Sequence, residues 1–141
     1  LTLDPANLAA AKVTATIPVR KIVTANAELT AHLLRAPRAG GKPDFFGPTP
    51  ADATFVSTSV APAPDGVSAM VTGNLTLNGV TKPVTLAARF SGAGNNIMTR
   101  IPTVGFQGIA TIKRPDFGMN FIVPLVSDEV PLNITIAFEK K

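Results

Sequence analysis

Alternation of apolar and polar residues on both sides of an Asn-Gly pair is the feature that most restricts the fold of this chain. Leu75 and Leu77 precede the pair at positions 78 and 79, and Val84 and Leu86 follow it. Alternation with a period of two places apolar residues on one face of a strand. Asn-Gly tolerates the positive φ angles that a two-residue hairpin turn requires. The segment therefore predicts two antiparallel strands that share one apolar face.

The same alternation recurs along the chain, in residues 13–19, 67–77, 104–112 and 130–138. Because each of these segments has one dry face and one wet face, they favour an all-β domain of antiparallel strands. Pattern alone does not separate a sandwich with a filled interior from a barrel that holds a ligand. The residues expected to point inwards occupy the alternating positions that form the apolar (dry) face of their strands. They are Phe55, Val71, Leu75, Leu86, Phe90, Phe106, Ala110, Leu132, Ile134 and Ile136.

Turns and short helices are predicted between the strands. Asp4-Pro5 is a good N-cap and first-turn pair for a helix over residues 6–11. A second helix is predicted from Asn26 to Arg35, where the late basic residue suits the helix dipole. Its Leu29, Leu33 and Leu34 would cover one end of the sheet. Turn-forming residues occur at three places: Pro64-Asp65-Gly66, Asn78-Gly79 and Gly92-Ala93-Gly94-Asn95-Asn96.

Composition limits the class of protein. At 141 residues the chain is expected to form a single domain, residues 1–141. No apolar run approaches the roughly 20 residues of a membrane-spanning helix. The absence of cysteine excludes disulfides and thiolate chemistry. The net charge of +4 is scattered and there is no Trp or Tyr, so nucleic acid is not an expected partner.

No catalytic or metal-binding constellation is visible in the sequence. His32 is the single histidine, whereas a metal site needs three or four His, Cys or carboxylate ligands. A hydrolase that pairs His32 with Asp44 lacks a nucleophile placed near them. We therefore predict a protein that is not an enzyme and has neither a metal nor a cofactor. Arg114 has two interpretations: a surface ion pair with Asp116, or a contact to a ligand head group at the barrel mouth.

Several separated segments resemble, in the same order, the motifs of the YceI-like family of lipid-binding proteins. His-Leu-Leu at 32–34 is followed by Asp-Phe-Phe at 44–46, with a longer link between them than is usual in the family. The other matching segments are residues 53–58, the hairpin at 75–86, Thr-Ile-Lys-Arg-Pro-Asp-Phe-Gly-Met at 111–119, and Ser-Asp-Glu-Val at 127–130. The match covers nearly the whole chain.

The resemblance implies a lipocalin-like antiparallel barrel with one or two short helices. It also implies about two further strands before Leu1, so that this chain would have an open sheet edge. A homodimer or a swapped segment would cover such an edge. The implied setting is exported and periplasmic, and the implied ligand is a polyisoprenoid such as a quinone or a prenyl phosphate.

The predicted function is the binding, with transport or storage, of such a long-chain lipid in an apolar interior. A tail of about forty carbons would gain roughly 30 kcal/mol from burial before the cost of ordering it. The alternative is a structural or adhesive β-sandwich with a filled core. The predicted head-group contact is Arg114. The predicted pocket residues are apolar or small: Phe45, Phe46, Phe55, Val71, Leu75, Leu86, Phe90, Phe106, Gly108, Phe117 and Met119.

Overall fold

The structure, a computed structural model, describes residues 1–141 and contains one antiparallel sheet and one α-helix. The predicted all-β class is confirmed. Each strand pairs with the next along the chain, in the order β1-β2-β3-β4-β5-β6. The elements are β1 (Thr14–Ile17), α1 (Ala27–Leu33), β2 (Ala53–Pro62), β3 (Ser68–Leu77), β4 (Val80–Asn95), β5 (Pro102–Lys113) and β6 (Glu129–Glu139).

The sheet curls into a half-barrel with two free edges. β1 and β6 are the outermost strands and do not pair with each other. The predicted open edge is therefore present. Register shifts between Ser57 and Ser59 in β2, and between Phe90 and Gly92 in β4, interrupt the ladders. Such bulges bend a strand and increase its twist, which helps the sheet to curl.

Burial along the strands confirms the predicted register. In β5, Gly108 and Ile112 are buried on the concave face, while Ile109 between them is 60% exposed on the convex face. Nine of the ten residues expected to point inwards are buried or half-buried. The exception is Phe90, which is 39% exposed although it faces the same interior.

Two of the three predicted turns are present. Asn78 and Gly79 have φ angles of 53° and 75°, which matches the two-residue hairpin turn that the pair favours. Asp65 accepts backbone hydrogen bonds from Val67 and Ser68 in the β2–β3 turn.

The turn predicted at residues 92–96 was wrong, because β4 continues to Asn95. Gly92 pairs with Gly105 beyond the bulge, so these glycines lie in a strand. The chain reverses instead at residues 96–101. The side chain of Asn96 accepts the backbone N–H groups of Met98 and Thr99 there.

One of the two predicted helices forms as expected. The Asn26 side chain accepts the N–H groups of Glu28 and Leu29, so it caps α1 as predicted. Leu29, however, is 46% exposed and does not cover the sheet. The helix predicted over residues 6–11 was wrong: only a short 3-10 turn, Leu8–Ala10, is present. The Asp4 carboxylate accepts the N–H of Ala6, as an N-cap does, but no α-helix follows it.

Candidate ligand-binding cavity

The interior of the half-barrel has a solid end and a hollow end. At the solid end, six apolar residues form a buried cluster: Phe55, Val71, Leu75, Ile112, Phe117 and Met119. Gly73 leaves room for the Phe55 ring, because a Cβ at position 73 would overlap that ring and lie 2.6 Å from the Val56 carbonyl oxygen. The Asn78 amide donates to the Phe117 carbonyl over 3.0 Å and ties the β3–β4 turn to this cluster. This end is ordinary packed core.

At the hollow end lies an apolar cavity of about 500 Å³, partly open to solvent. It is lined by 22 residues, of which 16 are hydrophobic and none is charged. Gly66 in the β2–β3 turn, Val104 near the start of β5 and Phe138 near the end of β6 line it. The cavity therefore occupies the end of the half-barrel that carries the β2–β3 turn and the β4–β5 hairpin. Its volume falls within the range of small-molecule pockets.

One wall of the cavity is a row of aromatic rings on neighbouring strands. The ring centroids of Phe90 and Phe106 are 5.8 Å apart, and those of Phe106 and Phe138 are 6.2 Å apart. Interplanar angles of 67° and 65° make both contacts edge-to-face, an arrangement that aromatic pairs prefer. The rings are thus fixed by each other as well as by their strands, and they form a preformed apolar surface.

Gly108 creates much of the space beside this wall. It lies on the concave face of β5 and lines the cavity. A Cβ built at Gly108 would meet no atom within 4 Å. Since its strand neighbours on the same face, Phe106 and Ala110, do carry side chains, the missing one leaves a depression in the wall. Such a position is expected where a ligand approaches a strand closely.

The segment before β1 covers part of the cavity. Leu3, Leu8 and Val13 contribute to the lining. Val13 is held to β2 by two hydrogen bonds: its N–H donates to Ser57 Oγ over 2.8 Å, and its carbonyl accepts the Ser57 N–H over 2.9 Å. The segment therefore closes one side of a cavity that the curled sheet alone would leave open.

The structure brings together five of the predicted pocket residues in the cavity: Val71, Leu86, Phe90, Phe106 and Gly108. The others do not line it. The predicted pocket residues that form or pack on the solid core instead are Phe46, Phe55, Leu75, Phe117 and Met119. For the strand residues Phe55 and Leu75, the physical reason is that the apolar face continues along the whole strand, whereas the space between opposing walls changes from one end to the other.

Phe45 is half-buried and belongs neither to the cavity lining nor to the buried cluster. Its ring makes edge-to-face contacts with His32 and Phe121, with centroid distances of 5.4 Å and 5.7 Å. The sequence analysis also missed lining residues before β1 and on β5 and β6, including Leu3, Leu8 and Val104. Val104 lies on a dry face and could have been included, but only the fold shows that the first 13 residues lie across the cavity.

Of the two interpretations of Arg114, the surface ion pair with Asp116 was wrong. Its guanidinium is buried and donates to four backbone carbonyls, at distances of 2.9 to 3.2 Å. The acceptors are the carbonyls of Ser127, Met119, Phe121 and Val126. Its centre also lies 5.6 Å from the centroid of the Phe45 ring, within cation–π range. Arg114 therefore organises the loop between β5 and β6, and it is not among the residues that line the cavity.

A small polar cluster joins α1 to the segment before β2. His32 Nε2 lies 2.8 Å and Arg35 Nη2 2.7 Å from Asp44 Oδ2. The hydrogen bond from His32, and then that from Arg35, lower the pKa of the Asp44 carboxyl below its ordinary 3.8. His32 Nε2–H donates a hydrogen bond to Asp44, so the same nitrogen cannot also accept one from Arg35. We therefore assign the hydrogen bond from Arg35 Nη2 to the Asp44 carboxylate as well. The cluster ties the long link to the helix and holds no nucleophile.

An antiparallel half-barrel with an apolar cavity on its concave face is a fold suited to binding small apolar molecules. The family model described as a YceI-like domain matches residues 1–138, and the chain belongs to that family. The family membership and the cavity together indicate a binding-protein fold.

Curated relatives agree with this assignment. A UPF0312 protein of Pseudomonas paraeruginosa is 43% identical over 137 residues, which are 96% of this chain and 66% of the relative. Protein YceI of Shigella flexneri is 40% identical over 136 residues, with the same shares. The chain thus spans about two thirds of the length of the curated relatives it matches. These names describe YceI or UPF0312 proteins and not enzymes.

Solved structures show the same fold. A mutant Campylobacter jejuni YCEI protein superposes with a TM-score of 0.80 at 28% identity, covering 99% of this chain and 78% of that one. Burkholderia cenocepacia BcnA superposes with a TM-score of 0.77 at 28% identity, covering 97% and 80%. No helix here has the length and apolar character needed to cross a bilayer.

Proposed function

We propose that this protein binds one apolar chain of a long-chain lipid, without catalysis, in the cavity beside Phe106 and Gly108. The observation that carries the proposal is the cavity lining, which is mostly hydrophobic and contains no charged side chain. A buried space of this kind favours apolar ligands, because burial of hydrocarbon releases it from water. The depression at Gly108 and the row of phenylalanines give the chain a shaped surface to follow.

The size of the cavity limits how much of a chain it can enclose. A water molecule occupies about 30 Å³ in the liquid. If each carbon of the chain takes the same volume, a cavity of 500 Å³ holds on the order of 17 carbons. Burial of that many would gain about 14 kcal/mol before ordering costs, at ~0.8 kcal/mol per methylene. This is compatible with observed affinities, whose upper limit is near 20 kcal/mol. A tail of about forty carbons would have to extend beyond this cavity.

The lining also restricts the head group. Ser68 and Gln107 are its only polar side chains, and neither can neutralise a phosphate. Burying an unpaired charge is strongly unfavourable. An uncharged polyisoprenoid or the tail of a quinone fits these residues, whereas the head of a prenyl phosphate would have to stay in solvent at the mouth.

The proposal includes the role and setting of the protein. Non-covalent binding in a partly open cavity suits transport or storage, since the ligand can leave without chemistry. An exported, periplasmic location, and the absence of any cofactor other than the bound lipid, belong to the same proposal. The lack of cysteine is compatible with that location, because an exported chain without thiols forms no unwanted disulfides.

A structural or adhesive domain is the second candidate function. The buried cluster around Phe117, which is 1% exposed, fills one end of the interior, as such a domain requires. The two candidate functions differ in what they require of the hollow end. A structural domain does not require an apolar cavity beside Gly108, whereas a lipid-binding protein does.

Competition binding separates the two candidates. The apolar fluorophore N-phenyl-1-naphthylamine would be bound first and then displaced by geraniol, farnesol, geranylgeraniol and solanesol. We expect displacement to strengthen from geraniol to geranylgeraniol and to change little with solanesol, because the enclosed part of the chain is then complete. Failure of the fluorophore and of every alcohol to bind saturably would favour the structural domain.

A further inference from the structure

The β4–β5 hairpin extends beyond β3 at the end where the cavity lies, and β6 runs beside it as far as Thr103. β3 pairs with β4 up to Arg89, and the remainder of β4 pairs with β5 alone. At about 3.3 Å per residue, the tip at residues 96–101 extends on the order of 15 Å past the β2–β3 turn. The tip therefore stands clear of β2 and β3 at this end of the molecule.

Two large apolar side chains stand at the very tip. Ile97 is 87% exposed and Met98 is 93% exposed. Their exposure is not that of a loosely held loop, because the turn is tied down on both sides. Asn96 Nδ2 and Thr99 Oγ1 both donate to the Glu139 carboxylate on β6, over 2.7 Å and 3.2 Å. The chain thus holds two adjacent large apolar side chains in water, and contiguous apolar exposure rimmed by polar residues is a mark of interaction surfaces.

Positive charge surrounds this apolar tip. Arg100 follows it directly, and the backbone N–H of Lys140 donates to the Pro102 carbonyl over 2.8 Å, which places Lys140 and Lys141 at the base of the hairpin. Near the tip, three cationic side chains therefore accompany one acidic side chain, that of Glu139, while Asp65 lies at the same end in the shorter β2–β3 turn. An apolar tip with basic residues behind it is the pattern of proteins that lie on an anionic bilayer.

A second exposed apolar residue shows why charge decides between surfaces. Leu125, in the loop before β6, is 86% exposed at the opposite, solid end of the half-barrel. Asp128 and Glu129 follow it closely in the chain, and Glu129 pairs with Lys113 across the strands, so these neighbours carry no excess of positive charge that would attract an anionic surface. Exposed apolar side chains occur at both ends of the half-barrel. The hairpin end combines them with nearby basic residues and with the mouth of the cavity.

We propose that this hairpin tip docks on anionic lipid bilayers, with Ile97 and Met98 inserted among the head groups and Arg100, Lys140 and Lys141 facing the lipid phosphates. Docking by this end turns the cavity towards the membrane, where an apolar chain could pass between bilayer and cavity. The inference concerns the outer surface, so it can hold or fail independently of what the cavity binds.

Vesicle co-sedimentation tests this inference. The protein would be mixed with vesicles of phosphatidylcholine alone and of phosphatidylcholine with phosphatidylglycerol. We expect binding to the anionic vesicles, weaker binding in high salt, and at least a roughly 30-fold loss of partitioning in the double variant Ile97→Ser/Met98→Ser, since both apolar side chains would no longer be buried. The matched control Leu125→Ser removes an equally exposed apolar residue and is expected to bind as wild type does.

The same variants separate this inference from the proposed function. Displacement of N-phenyl-1-naphthylamine from the cavity is expected to be unchanged in the tip variant, because neither side chain lines the cavity. Three results would each overturn the inference: no binding of wild type to anionic vesicles, equal binding to both vesicle types, or equal losses in the tip variant and in Leu125→Ser. None of these would affect ligand binding by the cavity.

Discussion

Substitution of Gly108 by leucine tests whether the hollow half of the barrel is a binding site. A Cβ at this position meets no atom within 4 Å, so the new side chain can enter the cavity without displacing backbone. Its four carbons would take on the order of 120 Å³, at about 30 Å³ each, out of 500 Å³. About a quarter of the space for ligand would disappear.

The expected loss of affinity follows from this volume. A ligand that fills the wild-type cavity would lose the burial of about four carbons, which is about 3 kcal/mol. Its dissociation constant would therefore rise on the order of 100-fold. Geraniol, which leaves the cavity partly empty, is expected to bind almost unchanged. The variant itself should be as stable as wild type or more so, because burial of a leucine side chain gains about 1.5–3 kcal/mol.

The assay is displacement of N-phenyl-1-naphthylamine by prenyl alcohols of increasing length, with thermal unfolding measured in parallel. Gly105→Leu is the matched control. It adds the same side chain to the same strand on the convex face, where the nearest atom to a new Cβ is at an ordinary 3.7 Å. Unchanged binding of every alcohol by Gly108→Leu, or an equal loss in Gly105→Leu, would refute the argument that this space holds the chain.

Three further changes test other parts of the structure. Gly73→Ala should destabilise the fold by at least about 1–3 kcal/mol through overpacking against Phe55, and a midpoint of urea unfolding equal to that of wild type would contradict this. Arg114→Met should cost at least about 3 kcal/mol in urea unfolding, because its backbone acceptors lose their donors; a loss below about 1 kcal/mol would show that water replaces it. The pKa of the Asp44 carboxyl is lower in the folded protein than in the unfolded chain. Its contribution to the stability of the fold is therefore fully present above the pKa of the unfolded state. That contribution is lost as the pH falls through the pKa of the folded state, below about pH 4. Asp44→Asn should therefore reduce the decline of the melting temperature with acid, and identical pH profiles would contradict the role of this cluster.

The strands could be predicted from the sequence because their side-chain periodicity reports directly on which face is dry. The parity of Phe106, Gly108 and Ile112 is correct in the structure, and Asn78 with Gly79 forms the expected turn. The glycine-rich end of β4 was misassigned as a turn, because glycine suits both a turn and a bulged strand. Only pairing with β5, a contact distant in sequence, decides between them.

The site was predicted less completely, for a related reason. The strand alternation places both Phe55 and Phe106 inside the barrel, but Phe55 lies in packed core and Phe106 at a cavity wall. The difference depends on the distance between opposing walls, which periodicity does not contain. Arg114 illustrates the same limit: its neighbour Asp116 suggested an ion pair, whereas carbonyls up to 13 residues away bind its guanidinium.

Mass spectrometry of an organic extract of the purified wild-type protein tests the central claim most directly. The account predicts an uncharged or weakly polar lipid with a long apolar chain, recovered in near-equal amount to the protein. Recovery of no such molecule, from a protein that also fails to take up added geranylgeraniol, would contradict the claim that the cavity beside Gly108 binds an apolar chain.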